Sequence, residues 1–462
     1  MSDQTTSEIP KATRRLAEFA VNTKYEDLPS TLIDRLRTDA LDGVAVGIYG
    51  STLPWITLAT EYWEEIGGKP EATVWGRKSK LPVIMATLAN SHAQNAFEYD
   101  DTYNWRGLGC HTGNNVIPAS IAISEMLGGV PGREFITAHA IGMEIGIRIR
   151  LGFKEKRLGH NYTAITSTFG AAAAAGRLLG LNVDQMNWAL GSAGSYVGGY
   201  LTVPASSMVK RMVNGRAAQG GVMGALLAKR NFTGIENFLE AERGGYYGVT
   251  AIEADWEALL GGLGETWNCA NVFTKRYPIC TSIIGPAEAV SQVVRDEDFS
   301  VDEVEKIKVY TTSAVQPLIC GALPETISAA QLNLAFGVAT AMVTGKIDPR
   351  DVNMEKAKSS VIDNLMRRVE PIADAEYDAR RKDGAPDRYP TRVEVILKDG
   401  RMLKSKFVPE PSTMTPAEVE SKANDAMEDI IGKDSTQQII EFFRGIDKLD
   451  TVNGLFGLLK AN

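Results

Sequence analysis

Glu98-Tyr99-Asp100-Asp101-Thr102, followed nine residues later by His111, gathers three carboxylates, a hydroxyl and an imidazole into fourteen residues. Carboxylate and imidazole side chains are the usual general acids and bases of enzymes. The chain has only four histidines, so one beside an acidic cluster carries weight. Two basic doublets stand far downstream: Lys210-Arg211 in SSMVKRMVNGRAAQ and Lys275-Arg276 in NVFTKRYPIC. Each is flanked by apolar residues rather than by further charge. Arginine binds carboxylates bidentately, and lysine can lower its pKa and carry a proton. Fixed cations also stabilise the enolate-like charge that forms when a proton leaves the carbon next to a carboxylate. The residue types therefore suit proton transfer and the holding of an anionic ligand.

Further candidates are less distinctive. His160, in RLGHNYTAITSTFG, precedes an Ala-rich helix whose positive end would favour an anion. Cys280 follows Tyr277-Pro278 and reads as an acid, a nucleophile or a small buried residue. Glycines 107, 109 and 113 form a loop able to wrap a small ligand. Structural roles stand beside each chemical one. Acids can cap a segment or be solvated, and basic doublets can form surface ion pairs. His92 and His139 fall inside apolar helical stretches and read as core.

Several classes are excluded. A net charge of −8, with both signs spread along the chain, argues against nucleic acid as the main partner. No glycine fingerprint follows a strand, and GxxxxGK[ST], HExxH and GxSxG are absent. Cys110, Cys269, Cys280 and Cys320 form no CxxC pair and no zinc spacing, so a reduced, intracellular setting is expected. The N-terminus lacks a signal-peptide core, and no stretch is apolar enough to span a membrane.

The elements that must position these groups are mostly helical. Apolar spacing predicts helices over Ile9 to Val21, Leu32 to Val46, Leu81 to Ala96, Val116 to Leu127 and Phe135 to Ile149. Thr163 to Leu181 carries TFGAAAAAGRLLGL, whose small residues predict a central helix buried on most sides. Asn214 to Ala228 is similar, and no β alternation is visible before residue 260. Afterwards VEKIKVYT (Val304 to Thr311), RVEVIL (Arg392 to Leu397) and MLKSKF (Met402 to Phe407) alternate as strands, the last two joined at Asp399-Gly400. Helices are expected at Gly285 to Val294, Leu332 to Val343 and Asp351 to Val361. Beyond Pro409-Glu410-Pro411 the chain turns helical again, with apolar residues that need a partner surface. The predicted architecture is mainly α: an all-helical domain from both chain ends (1–267 and 409–462) and an inserted α+β lid domain (268–408).

In this order the segments resemble the MmgE/PrpD family across nearly the whole chain. Glu71-Ala72-Thr73-Val74-Trp75-Gly76 is similar to the family's "aTv.G" stretch, and Asn90 to Thr102 resembles its block ending in "D-[FY]-D-D-T". Val116-Ile117-Pro118-Ala119, TFGAAAAAGRLLGL, MVKRMVNGRAAQ, FTKRYPIC and the Pro324 segment then follow in family order. The family includes 2-methylcitrate dehydratase, cis-aconitate decarboxylase and iminodisuccinate epimerase. The resemblance implies a helical domain with a lid, a homodimer in the cytoplasm, and chemistry on small polycarboxylates with no metal and no organic cofactor.

Carried over by position, Glu98 stands where the decarboxylase members have an active-site Asp. Thr102 and His111 match their Thr and His, with three more residues between the two. Lys210 and Lys275 match two active-site lysines. Cys280 replaces a His, and His160 or Tyr162 matches another. Asn95 and Val213 replace two further family histidines. The expected function is a cofactor-independent lyase, foremost a dehydratase of a small hydroxy-polycarboxylate. Lys210, Lys275, Arg211 and Arg276 would hold carboxylates, with Glu98 and Thr102 beside the substrate. His111 or a lysine would take the proton, and His160, Tyr162 or Cys280 would return one. An epimerase or decarboxylase on the same scaffold is the alternative, and a non-catalytic polyanion-binding protein is a further one.

Overall fold

The computed structural model describes residues 11–461 apart from 106–107, 158, 201–206, 314, 316–322, 383–388 and 411–412. Ile9, Gly107, Cys320 and Pro411, named above, lie outside the described residues. The chain is mainly α. Among the described residues, nine α-helices make up its first half: α1 Ala12–Asn22, α2 Ser30–Ser51, α3 Pro54–Ile66, α4 Val83–Gln94, α5 Gly113–Met126, α6 Gly132–Leu151, α7 Tyr162–Leu178, α8 Val183–Gly194 and α9 Val209–Lys229.

Small side chains decide how these helices meet. A Cβ on Gly142 of α6 would lie 2.8 Å from the Gly170 carbonyl oxygen, and one on Gly170 of α7 would lie 2.5 Å from that of Gly142. The two backbones therefore touch, which only glycine at both positions permits. Ala171 to Ala175 continue the same contact and are buried. On its other side α7 packs on α9, so it is enclosed as its composition predicts. Asn161 caps its start, accepting from the Ala164 N–H at 3.3 Å.

The second unit is built on a four-stranded sheet in the order Met402–Lys404, Arg392–Leu397, Val304–Thr311, Val369–Ala373. The first three strands are antiparallel, and Val369–Ala373 pairs parallel to Val304–Thr311. Helices Thr281–Asp296 and Leu334–Thr344 pack on each other and against the sheet. Helix Pro416–Ile431 returns to α2, burying Val419, Ala423, Met427 and Ile431, and Lys433–Arg444 follows with Ile439, Ile440 and Phe443. Each fully buried aliphatic or aromatic side chain is worth about 1.5–3 kcal/mol relative to exposure, enough to hold these late helices down.

Two apolar cores result. One draws on residues from Ala12 to Val272 and from Met414 to Leu459. The other runs from Phe273 to Val408 and takes in Val46, Leu53, Ile56, Ala93, Ala96, Phe97 and Tyr99. Phe97 and Tyr99 belong to the second core and Tyr103 to the first, so the acidic segment passes from one core to the other.

The structure corrects several expectations. Small antiparallel pairs do occur before residue 260: Ala72–Thr73 with Lys80–Leu81, Tyr103–Trp105 with Leu108–Cys110, and Phe153–Lys156 with Ala251–Ala254. The glycine-rich stretch is thus a hairpin rather than an open loop. The helix expected from Asn214 begins at Val209, and the stretch from Asp351 to Val361 divides into Met354–Ala357 and Ser360–Met366. Met402 to Phe407 keeps only three residues of strand.

Candidate active site

Glu98 is the hub. Its backbone adopts φ +54°, a left-handed conformation that costs a non-glycine residue on the order of 1 kcal/mol. That turn aims its buried carboxylate at both doublets. Oε1 accepts from Lys210 Nζ at 2.5 Å and from Arg211 Nη1 at 2.7 Å. Oε2 lies 3.2 Å from Lys275 Nζ, which also donates to the Glu98 carbonyl at 3.1 Å. Burial alone would raise the Glu98 pKa, but Lys210, Lys275 and Arg211 together hold it well below its ordinary value. Lys210 and Arg211 stand in the first turn of α9, where the helix dipole disfavours cations and favours an anionic ligand. Burial and neighbouring Arg211 push the Lys210 pKa down against the pull of Glu98. Lys275 is fully buried, yet Glu98 and Asp100 outweigh that burial and raise it.

His111 is fixed beside this cluster. Its Nδ1 lies 2.7 Å from the Asp101 carbonyl oxygen and 3.2 Å from Asp100 Oδ2. A carbonyl only accepts, so Nδ1 carries the hydrogen and Nε2 is the nitrogen left for chemistry. Burial would lower the His111 pKa, but the charge and hydrogen bond of Asp100 outweigh it and raise it. Asp100 Oδ2 also accepts from Asn95 Nδ2 at 2.9 Å and Asn114 Nδ2 at 2.8 Å, which hold the carboxylate in place. Asp101 turns the other way. Its Oδ2 accepts from Gly113 N at 3.2 Å, at the start of α5, and a Cβ on Gly113 would come within 2.3 Å of its Oδ1. Gly113 is therefore needed for close approach, not for flexibility. Burial, Asp100 and Asp39 raise the Asp101 pKa.

Of the residues singled out from sequence, Glu98, His111, Lys210, Arg211 and Lys275 come together. Arg276 does not join them: its Nη1 donates to Glu418 at 2.7 Å, and Glu288 lies 3.8 Å from its Nε. Thr102 pairs its backbone with Phe273, and its hydroxyl faces the carbonyls of Cys110 and Tyr103. It stitches the acidic segment to the second doublet. Cys280 is half-buried, and its Sγ lies 3.3 Å from Ser282 Oγ. His160 and Tyr162 stack edge-on, with Arg150 over the Tyr162 ring at 4.3 Å and the Tyr162 hydroxyl on the Arg157 carbonyl. They reach the site only indirectly, because Thr163 Oγ1 accepts from the His111 N–H at 3.2 Å. His92 and His139 are buried, which lowers their pKa to about 4 and about 3.

Sequence reasoning missed the supports underneath. Lys422, from helix Pro416–Ile431, donates to the carbonyls of Tyr99 at 3.0 Å and Lys275 at 2.9 Å and pairs with Asp42 at 2.7 Å. Arg35 and Asp39 form a second buried pair at 2.8 Å, with Thr274 beside both. Among the described residues no three His, Cys, Asp or Glu side chains group as metal ligands, and no helix is long and apolar enough to cross a membrane.

The arrangement sets three cations around one buried carboxylate beside a fixed imidazole, groups suited to holding carboxylates while a proton moves. Comparison with known proteins agrees with the order of motifs. The family model described as the MmgE/PrpD N-terminal domain matches residues 14–258, and that of the MmgE/PrpD C-terminal domain matches residues 277–448. The chain is 27% identical to a cis-aconitate decarboxylase of Aspergillus terreus (strain NIH 2624 / FGSC A1156), over 97% of this chain and 96% of that protein. It is 25% identical to the cis-aconitate decarboxylase-like protein oryM of Aspergillus oryzae, over 97% of each. A cis-aconitate decarboxylase of Mus musculus is 22% identical over 98% of this chain and 94% of its own length. With both domain models matched in order over most of its length, the chain belongs to the MmgE/PrpD family.

Proposed function

We propose that this protein is a lyase that decarboxylates a small unsaturated polycarboxylate of the cis-aconitate kind. The observation that carries the reading is His111, its Nδ1 held by the Asp101 carbonyl and by Asp100, beside the Lys210, Arg211 and Lys275 cluster. In this reaction the bond from carbon to one carboxylate breaks, carbon dioxide leaves, and the electron pair remains on carbon until it takes a proton. The three cations hold the remaining carboxylates and stabilise the developing charge. His111, with Nδ1 engaged by Asp101, delivers the proton from Nε2.

A dehydratase or an epimerase must first remove a proton from carbon, whereas Asp100 raises the His111 pKa and so favours the proton-donating form of the ring. For this reason, and because relatives from fungi and mouse carry the decarboxylase name, decarboxylation replaces dehydration as the leading reading. Lys210, whose pKa is lowered, is the group that would serve as base in a dehydratase or epimerase. The same proposal includes a unit of residues 268–408 that closes over the pocket and excludes water, and a homodimer in a reducing cytoplasm.

The test is NMR of the purified protein with cis-aconitate in heavy water. The expected outcome is carbon dioxide and a product with one carboxylate fewer and one deuterium on carbon. Unchanged cis-aconitate, together with water loss or C–H exchange on a hydroxy-polycarboxylate, would replace the proposal by the dehydratase or epimerase reading.

A further inference from the structure

Arg211 contacts Glu98 and the Asn95 carbonyl through Nη1, while its buried Nε has no partner. Its remaining nitrogen, Nη2, donates to Gln331 Oε1 at 3.0 Å. Gln331 is fully buried at the end of helix Ile327–Gln331, in the second unit of the chain. Its Nε2 donates to the Phe97 carbonyl at 2.5 Å and the Pro278 carbonyl at 3.0 Å. Its own backbone carbonyl accepts from Cys280 N at 2.9 Å. One side chain thus joins α9, the turn that carries Glu98, and the segment running from Lys275 to Cys280.

The chemistry of the three partners requires an amide. A guanidinium only donates and a carbonyl only accepts, so the residue between them must accept on one side and donate twice on the other. We propose that Gln331 is a positioning residue: it fixes the plane of Arg211 and its distance from Glu98, and so sets how tightly the pocket holds a carboxylate. The inference rests on the reading of Lys210, Arg211 and Lys275 as the carboxylate site. It assigns Gln331 no contact with the reacting atoms.

The test measures binding of tricarballylate, a saturated tricarboxylate that cannot react by elimination, using calorimetry on the full chain. Gln331→Met keeps the volume and removes the polar contacts, and is expected to weaken binding about tenfold, the worth of one charge-assisted hydrogen bond. In an Arg211→Met background the same change is expected to add nothing, because its effect passes through Arg211. Gln331→Asn keeps the amide on a side chain one methylene shorter and is expected to recover part of the affinity, which also guards against a Gln331→Met protein that fails to fold. Equal weakening by Gln331→Met in both backgrounds would make its role merely structural and overturn the proposal. So would unchanged affinity, or a Gln331→Asn protein no better than Gln331→Met. If the unaltered protein does not bind tricarballylate, the carboxylate-site reading fails and this inference falls with it.

Discussion

Replacing Glu98 by Gln removes the one charge that three cations share. The consequences can be worked through atom by atom. The Glu98 side chain is only 10% exposed, so little solvent screening applies. The amide oxygen of Gln can still accept from Lys210 and Arg211, which both lie on Oε1. Its NH2 would face Lys275, turning an attraction at 3.2 Å into a donor-to-donor clash. Breaking a buried ion cluster from one side typically costs about 3–5 kcal/mol, because the stranded charge keeps its desolvation penalty. Retention of two contacts puts the expected loss at the lower end, about 3 kcal/mol.

The pH dependence has a definite sign. The folded-state pKa of Glu98 lies below the ordinary value of 4.5. The stabilisation from its charge is therefore complete above that value and disappears as pH falls through the folded-state pKa. Glu98→Gln should flatten this part of the acid limb. A bound tricarboxylate would supply the missing negative charge, so the gap between the two proteins should narrow when ligand is present. The assay is urea unfolding of both proteins at neutral and acid pH, with and without tricarballylate. Equal midpoints under all conditions would refute the idea that Glu98 holds the cations in place.

Asp100→Asn removes the charge that stabilises protonated His111. That stabilisation is present below the ordinary histidine value of 6.5 and is lost as pH rises through the folded-state pKa, so the His111 midpoint should fall in the variant. Proton NMR can follow it, since the chain has four histidines and His92 and His139 titrate far lower; an unmoved midpoint would show that Asp100 does not control the ring. Arg276→Ala should cost only the ion pair with Glu418, about 0–1 kcal/mol, and leave tricarballylate affinity in place, whereas Arg211→Ala should weaken it strongly. Equal losses in calorimetry would put Arg276 back in the pocket.

The misplacement of Arg276 has a simple geometric origin. Two adjacent residues on a helix are about 100° apart, so Lys210 and Arg211 can both reach Glu98 from the first turn of α9. Lys275 and Arg276 lie on a non-helical segment, where neighbours turn to opposite sides. One enters the core while the other meets Glu418. A repeated two-letter pattern therefore meant different things in the two places. The helices and the Asp399-Gly400 hairpin were legible because their apolar periods are strong. Strand Val369–Ala373 was not, because its parallel pairing imposes no alternation and Pro371 argues against a strand, although proline is tolerated on an edge. Gln331 and Lys422 gave no signal either. Lys422 lies in VESKANDAMEDI, which reads as one face of an amphipathic helix, and only the fold shows that this lysine points inward.

The lysine beneath the pocket has a consequence for how the protein is made. Its contact with Tyr99 joins positions 323 residues apart, and ties of such span form late because the intervening chain must be closed into a loop first. Until the segment bearing residue 422 has been synthesised and docked, Asp42 lacks its ion-pair partner and the carbonyls of Tyr99 and Lys275 lack their donor. Partly synthesised chains should therefore be unable to complete the candidate site, whatever helices they have already formed.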